Sequence, residues 1–216
     1  MKRVLVLVAA LVVLAIPADA SAHPLGNFTV NKYAGIELAG DRIYVRYAVD
    51  LAEIPTFQLA REIRRPGYAS ELARSLELVV DGRRVVLTPV ERRVVSTAGA
   101  AGLKTLRLDV VFAADSSGER LMFRDRAFPG RVGWREVTLS ASDGARVIQA
   151  NVPAESTSSV LRAYPKDLLR SPLDVSSALA TLELGESAGP PPAIEGGAAP
   201  RHEPGGFEAL IERGEL

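Results

Sequence analysis

Between Phe28 and Leu51 the chain alternates with a period of two and changes parity once. Phe28, Val30, Lys32, Ala34, Ile36 and Leu38 stand at even positions, separated by Thr29, Asn31, Tyr33 and Glu37. After Ala39-Gly40-Asp41 the apolar set moves to Ile43, Val45, Tyr47, Val49 and Leu51. Successive side chains of a strand point to opposite faces, so each segment reads as a half-buried strand and the glycine break as a hairpin. A helix would scatter the same residues around its circumference. Lys32 interrupts the apolar face and is expected at a sheet margin, its stem buried and its amine in water.

The pattern recurs along the chain. Leu76, Leu78 and Val80 alternate with polar residues, and Asp81-Gly82 is a hairpin signal. A return strand is expected from about Arg84 to Val95, with Pro89 marking an edge or a bulge. Leu106 to Phe112, Leu121 to Phe123, Val137 to Ala141, Val147 to Val152 and Ala178 to Leu184 supply further strands, with Asp143-Gly144 as a turn. One excursion differs: Pro55, Phe57, Ala60 and Ile63 recur at helical spacing until Pro66-Gly67, and a short turn of helix is expected from Ser70 to Arg74. Residues 153–172 read as irregular. Eight or nine short strands with one helical excursion over an open sheet end predict an all-β fold, an antiparallel, immunoglobulin-like β-sandwich.

The ends of the chain point to export. Lys2-Arg3, an apolar run from Val4 to Ile16, Pro17 and Ala20-Ser21-Ala22 form the pattern of a secretory signal peptide over residues 1–22. That run makes a helix of roughly 20 Å, shorter than a bilayer core, so cleavage after Ala22 and an extracytoplasmic product in the periplasm or envelope are expected. The full chain has 26 basic and 26 acidic residues. Removing Lys2, Arg3 and Asp19 leaves 24 and 25, a net charge of about −1 that offers no general field for nucleic acid or for an anionic membrane. The domain is expected to span 23–184. Residues 185–206, with six Gly and five Pro, read as a disordered tether, and 207–216 as a short amphipathic tail preceding a membrane module outside this sequence.

Enzymatic apparatus is not visible in the residues. There is no cysteine, and the two histidines are His23 and His202, the second in the tether stretch. No GxSxG elbow, glycine-rich phosphate loop or HExxH motif occurs, and a non-enzymatic role is expected. His23 is the exception. After cleavage its α-amine and Nδ1 would form a chelate suited to Cu(II) or Ni(II), both of which favour tetragonal nitrogen sites. Asp50 and Glu53 are candidates to complete that metal site. An amine-terminated copper enzyme would need a second histidine within the domain. Arg124, Asp125, Arg126, Arg131 and Trp134, crowded into one segment, read as a salt-bridge corner or an anion site, with the tryptophan in a core.

Four segments carry a family resemblance: HPLGNFTVNKYAGIEL, DLAEIPTFQ, FRDRAFPGRVGWRE and YPKDLLRSPLDVSSA. Together they resemble the extracytoplasmic N-terminal region of bacterial nickel/cobalt transporter (NicO-type) membrane proteins, and the ending FEALIERGEL resembles the stretch before that family's first membrane helix. The resemblance implies an accessory domain that assists or regulates transport of Ni(II) or Co(II) by a membrane module, in the same polypeptide or a neighbouring gene product. The histidine-bearing membrane helices are not in this sequence, so no transport residue is carried over. The alternative is an envelope interaction module with no metal role.

Overall fold

A computed structural model of the chain describes residues 23–115, 118–169 and 171–194. Among the described residues, ten strands form two five-stranded sheets. The first has the order β5-β6-β2-β1-β8, with β1 Val30–Ala39, β2 Arg42–Leu51, β5 Thr88–Ala98, β6 Lys104–Ala114 and β8 Arg135–Ser142. The second has the order β4-β3-β7-β10-β9, with β3 Leu76–Val80, β4 Arg83–Val85, β7 Arg120–Asp125, β9 Arg146–Ala150 and β10 Ser177–Glu183. Helices α1 (Glu53–Ile63) and α2 (Tyr68–Ala73) lie between β2 and β3. The chain is an all-β sandwich with a short helical excursion.

The parity read from the sequence is the parity of the core. Ala34, Ile36 and Leu38 of β1, with Val45, Tyr47 and Val49 of β2, face Leu78, Phe123 and Ala178 of the second sheet in one buried cluster. Truncating a fully buried aromatic such as Phe123 to alanine would cost about 3–5 kcal/mol. Asp81 and Gly82 take φ values of 46° and 77°, the two left-handed residues of the β3–β4 hairpin, while Asp143 and Gly144 take 52° and 83° in a turn that passes from β8 in the first sheet to β9 in the second.

Several expectations change. One pairing is parallel: β1 runs beside β8, with Lys32 opposite Arg135 and Leu38 opposite Ala141. The chain crosses from β7 in one sheet to β8 in the other at the end where β1 begins, so the two strands run the same way. The expected return strand is two strands, because β4 pairs with β3 and β5 crosses to the first sheet. Pro89 sits on that outermost strand at a register shift between Pro89 and Glu91, the edge and bulge that a missing N–H requires. Lys32 is not at a margin but 5% exposed, its amine held by Asp125 and the Ala127 carbonyl. Phe28 and Phe57 lie outside the core: β1 begins at Val30, and α1 packs through Pro55, Thr56 and Ile63.

Residues 185–194, the first part of the expected tether, return to the domain. Gly185 and Gly189 donate their amides to the Gly40 and Ala39 carbonyls (2.9 Å each), and Tyr44 donates its hydroxyl to the Gly189 carbonyl (3.1 Å). Ile194 packs on Ala39, Tyr44 and Val111. Glycine serves close approach here, since a Cβ on Gly189 would lie 2.2 Å from Asp143 Oδ2 and one on Gly40 would lie 1.6 Å from the Ser187 carbonyl oxygen. The signal peptide, the rest of the tether with His202, and the amphipathic tail lie outside the described residues.

Candidate functional site

The odd residues of β1, the even residues of β2 and the odd residues of β6 point away from the sandwich core. At the end where β1 begins they meet a second cover, formed by the N-terminal arm 23–29 and the irregular segment 153–173. Tyr33, Ala48, Trp134 and Leu161 form a small buried cluster there, with Leu25, Tyr164 and Leu168 packed around it. Trp134 therefore lies in a core, as expected, but on the outer face of the first sheet. Its ring meets Tyr164 edge-on, with centroids 5.5 Å apart.

Polar groups buried in this layer are closely partnered. Glu136, 2% exposed, accepts hydrogen bonds from Trp134 Nε1–H (2.9 Å), the Thr157 amide (2.5 Å) and the Ser158 hydroxyl. Arg107 forms a two-pronged pair with Asp109 (2.8 and 2.7 Å) and donates to the Val160 and Leu161 carbonyls. These contacts fasten the 153–173 segment to the sheet.

His23 closes the layer, 7% exposed. Its Nε2 lies 2.8 Å from Asp50 Oδ2, and Tyr164 donates its hydroxyl to the same oxygen (3.3 Å). The other ring nitrogen, Nδ1, accepts the Leu25 amide at 3.3 Å. Asn31 Oδ1 accepts the Trp134 amide (2.9 Å), which turns Asn31 Nδ2 toward His23 Nε2, the Asp50 carbonyl and Thr29 Oγ1. The Leu25 amide on Nδ1 assigns the proton of a neutral imidazole to Nε2, which donates it to Asp50, and Thr29 Oγ1 also lies 3.4 Å from Nδ1. Burial pushes the Tyr164 phenol well above its ordinary value; the Asp50 charge adds to this and Arg107 opposes it.

No protein-family model matches the chain, and no curated protein does.

Of the three residues singled out for metal binding, two meet. Asp50 is 3% exposed and in contact with His23. Glu53 is turned elsewhere by the start of α1: it is 1% exposed, and its Oε1 accepts the Ala100 amide (2.9 Å) in the β5–β6 turn. Among the described residues no group of three His, Cys, Asp or Glu side chains stands together as a ligand set. Asn31, Thr29 and Tyr164 are the members of the network that sequence reasoning missed. Asn31 carried a signal in its outward parity on β1; Tyr164, in an irregular segment, carried no periodicity, and its one signal was its place at the head of the segment YPKDLLRSPLDVSSA.

The arginine-rich segment resolves into a salt-bridge corner. Asp125 takes Lys32 (2.8 Å), Arg126 takes Glu77 (2.6 Å) and Arg135 takes Asp174 (3.1 Å), while Arg131 donates to Gln58 (2.9 Å).

Proposed function

We propose that the chain is the exported accessory domain of a nickel/cobalt-type membrane transporter, holding a divalent transition metal at its mature N-terminus and exchanging it with the membrane module. The observation that carries this reading is the hydrogen bond from His23 Nε2 to Asp50 at 2.8 Å. Metal-bound histidines commonly donate their other ring N–H to a carboxylate, which fixes the tautomer and raises the basicity of the ligating nitrogen. Asp50 is thus the orienting partner and not a second ligand, and Nδ1 is the nitrogen that pairs with the α-amine once the signal is removed after Ala22. Ni(II) and Cu(II) suit such a nitrogen pair, and Co(II) accepts the same donors.

The family resemblance bears on the same place. Its four segments lie far apart in sequence, yet they supply His23 and Asn31, Asp50, Trp134 and Glu136, and Tyr164 to this one layer. The test is cellular accumulation of nickel and cobalt in a strain lacking the gene, complemented with the parent or with His23→Ala. Restoration by the parent alone is expected; equal accumulation in all strains contradicts the proposal.

One observation favours a second reading, an interaction module without a metal role. Val79, Met122 and Leu179 stand in register across three strands on the outer face of the second sheet, over a shallow concavity of about 590 Å³. Unchanged metal accumulation together with a partner protein lost on Leu179→Lys would support it.

A further inference from the structure

Three of the large apolar side chains exposed among the described residues gather at the end of the sandwich beside the N-terminal arm. Phe28 is 67% exposed, Phe57 84% and Val132 64%. Backbone contacts bring their segments together: the Val30 amide donates to the Val132 carbonyl (2.9 Å), and the Ile54 amide to the Asn27 carbonyl (3.0 Å). Arg131 Nη2 donates to Gln58 Oε1 (2.9 Å), joining the Val132 loop to α1 beside Phe57. The core is closed without any of the three.

Size and charge narrow what can cover this end. Side chains of these types at these exposures offer roughly 400 Å² of apolar surface, within the range of functional patches but about half of what one partner buries in a standard protein interface. The three project separately from a loop, a helix and a second loop, so they form protrusions and not a groove. Arg61, one turn beyond Phe57 on α1, and Arg131, next to Val132, are in no ion pair among the described residues; the nearby Glu62 lies 3.8 Å from Arg65, which pairs more closely with Glu71 (2.9 Å), and Glu53 is buried. Exposed aromatics with unneutralised arginines between them are the composition of surfaces that seat in the headgroup region of a membrane.

We propose that this end of the sandwich docks on an anionic bilayer, with Phe28, Phe57 and Val132 entering the headgroup layer and Arg61 and Arg131 meeting lipid phosphates. The surface is independent of the metal reading, since neither His23 nor Asp50 takes part in it.

The test uses the full chain exported by a bacterial host, with parent and variants confirmed by mass spectrometry to share one N-terminus, so that any signal residues contribute equally. Co-sedimentation is measured with phosphatidylcholine vesicles and with vesicles also containing phosphatidylglycerol. Binding to the anionic vesicles is expected, with Phe28→Ser and Phe57→Ser each lowering the partition coefficient about tenfold. Arg61→Ala should weaken binding to the anionic vesicles alone. Trp134 is the only tryptophan and is fully buried, so Phe57→Trp adds one exposed reporter whose emission should shift to the blue on those vesicles. No binding, binding unchanged by the phenylalanine substitutions, or no blue shift overturns the proposal. Self-association in the ultracentrifuge that Phe57→Ser abolishes would also overturn it, assigning the patch to a second copy of the chain.

Discussion

Lys32 and Asp125 form a buried ion pair between the two sheets, with Nζ 2.8 Å from Oδ2. Lys32 comes from β1 in the first sheet and Asp125 from the end of β7 in the second. The lysine also donates to the Ala127 carbonyl (2.7 Å), and the carboxylate accepts the Tyr47 hydroxyl (3.0 Å) and the Ala127 amide (2.8 Å). Both charges are therefore hydrogen-bonded, and removing one strands the other in a medium that solvates it poorly. Lys32→Met should lower stability by about 3–5 kcal/mol, and adding Asp125→Leu should recover much of that loss. Urea denaturation of the single and double variants checks this. A single variant as stable as the parent would show that the pair contributes nothing.

Ser159, Val160 and Leu161 take φ values of 48°, 60° and 61°, three consecutive left-handed residues without a glycine. Such a residue costs about 1–2 kcal/mol relative to its usual conformation. The turn persists because Arg107 holds two of its carbonyls, Ser158 Oγ accepts the Leu161 amide (3.0 Å), and Leu161 is fully buried. Ser159 is exposed, so Ser159→Gly should relieve its strain at little other cost and raise stability by about 0.5–1 kcal/mol. Leu161→Gly relieves the same strain but empties a core position, and should destabilise by more than 2 kcal/mol, roughly the cost of truncating a buried leucine. Thermal unfolding of the pair reads both signs.

Burial raises the Glu37 carboxyl above its ordinary value of 4.5; Asp143 adds to this, while Ser142 and Arg46 oppose it. An acid raised in the folded state stabilises the fold only while it is protonated, and that contribution is lost as pH rises through the folded value. Glu37→Gln, which stays neutral, should therefore be more stable than the parent at neutral pH. The advantage should shrink as pH falls through the raised value and vanish below 4.5. Denaturation midpoints of the two proteins across acidic to neutral pH give the comparison.

The strands and turns were legible because their signals are local. A period of two needs only neighbouring residues, and Asp-Gly states its own backbone conformation at positions 81–82 and 143–144. Lys32 was misplaced because the partner that lets it enter the core, Asp125, lies 93 positions away and in the other sheet. Helical spacing groups Phe57 with Ala60 and Ile63, but α1 packs through Pro55, Thr56 and Ile63, and spacing does not say which side of a short helix meets the sheet. At the site, His23 and Asp50 stood out by residue type. Tyr164 became a partner only when an irregular segment folded back over the first sheet, a non-local event that left no periodicity. The glycines of 185–194 have the composition of a flexible linker, but they allow backbone to lie against backbone, and composition does not distinguish the two uses.

The most direct test of the metal reading is a nickel titration of the exported protein, its N-terminus first confirmed as His23, followed by calorimetry and by visible absorption of the bound ion. One equivalent of Ni(II) is expected at neutral pH, lost in His23→Ala and weakened about 10- to 100-fold in Asp50→Asn, which removes the carboxylate that orients the imidazole. No nickel uptake by the parent, or uptake that His23→Ala leaves unchanged, would contradict it.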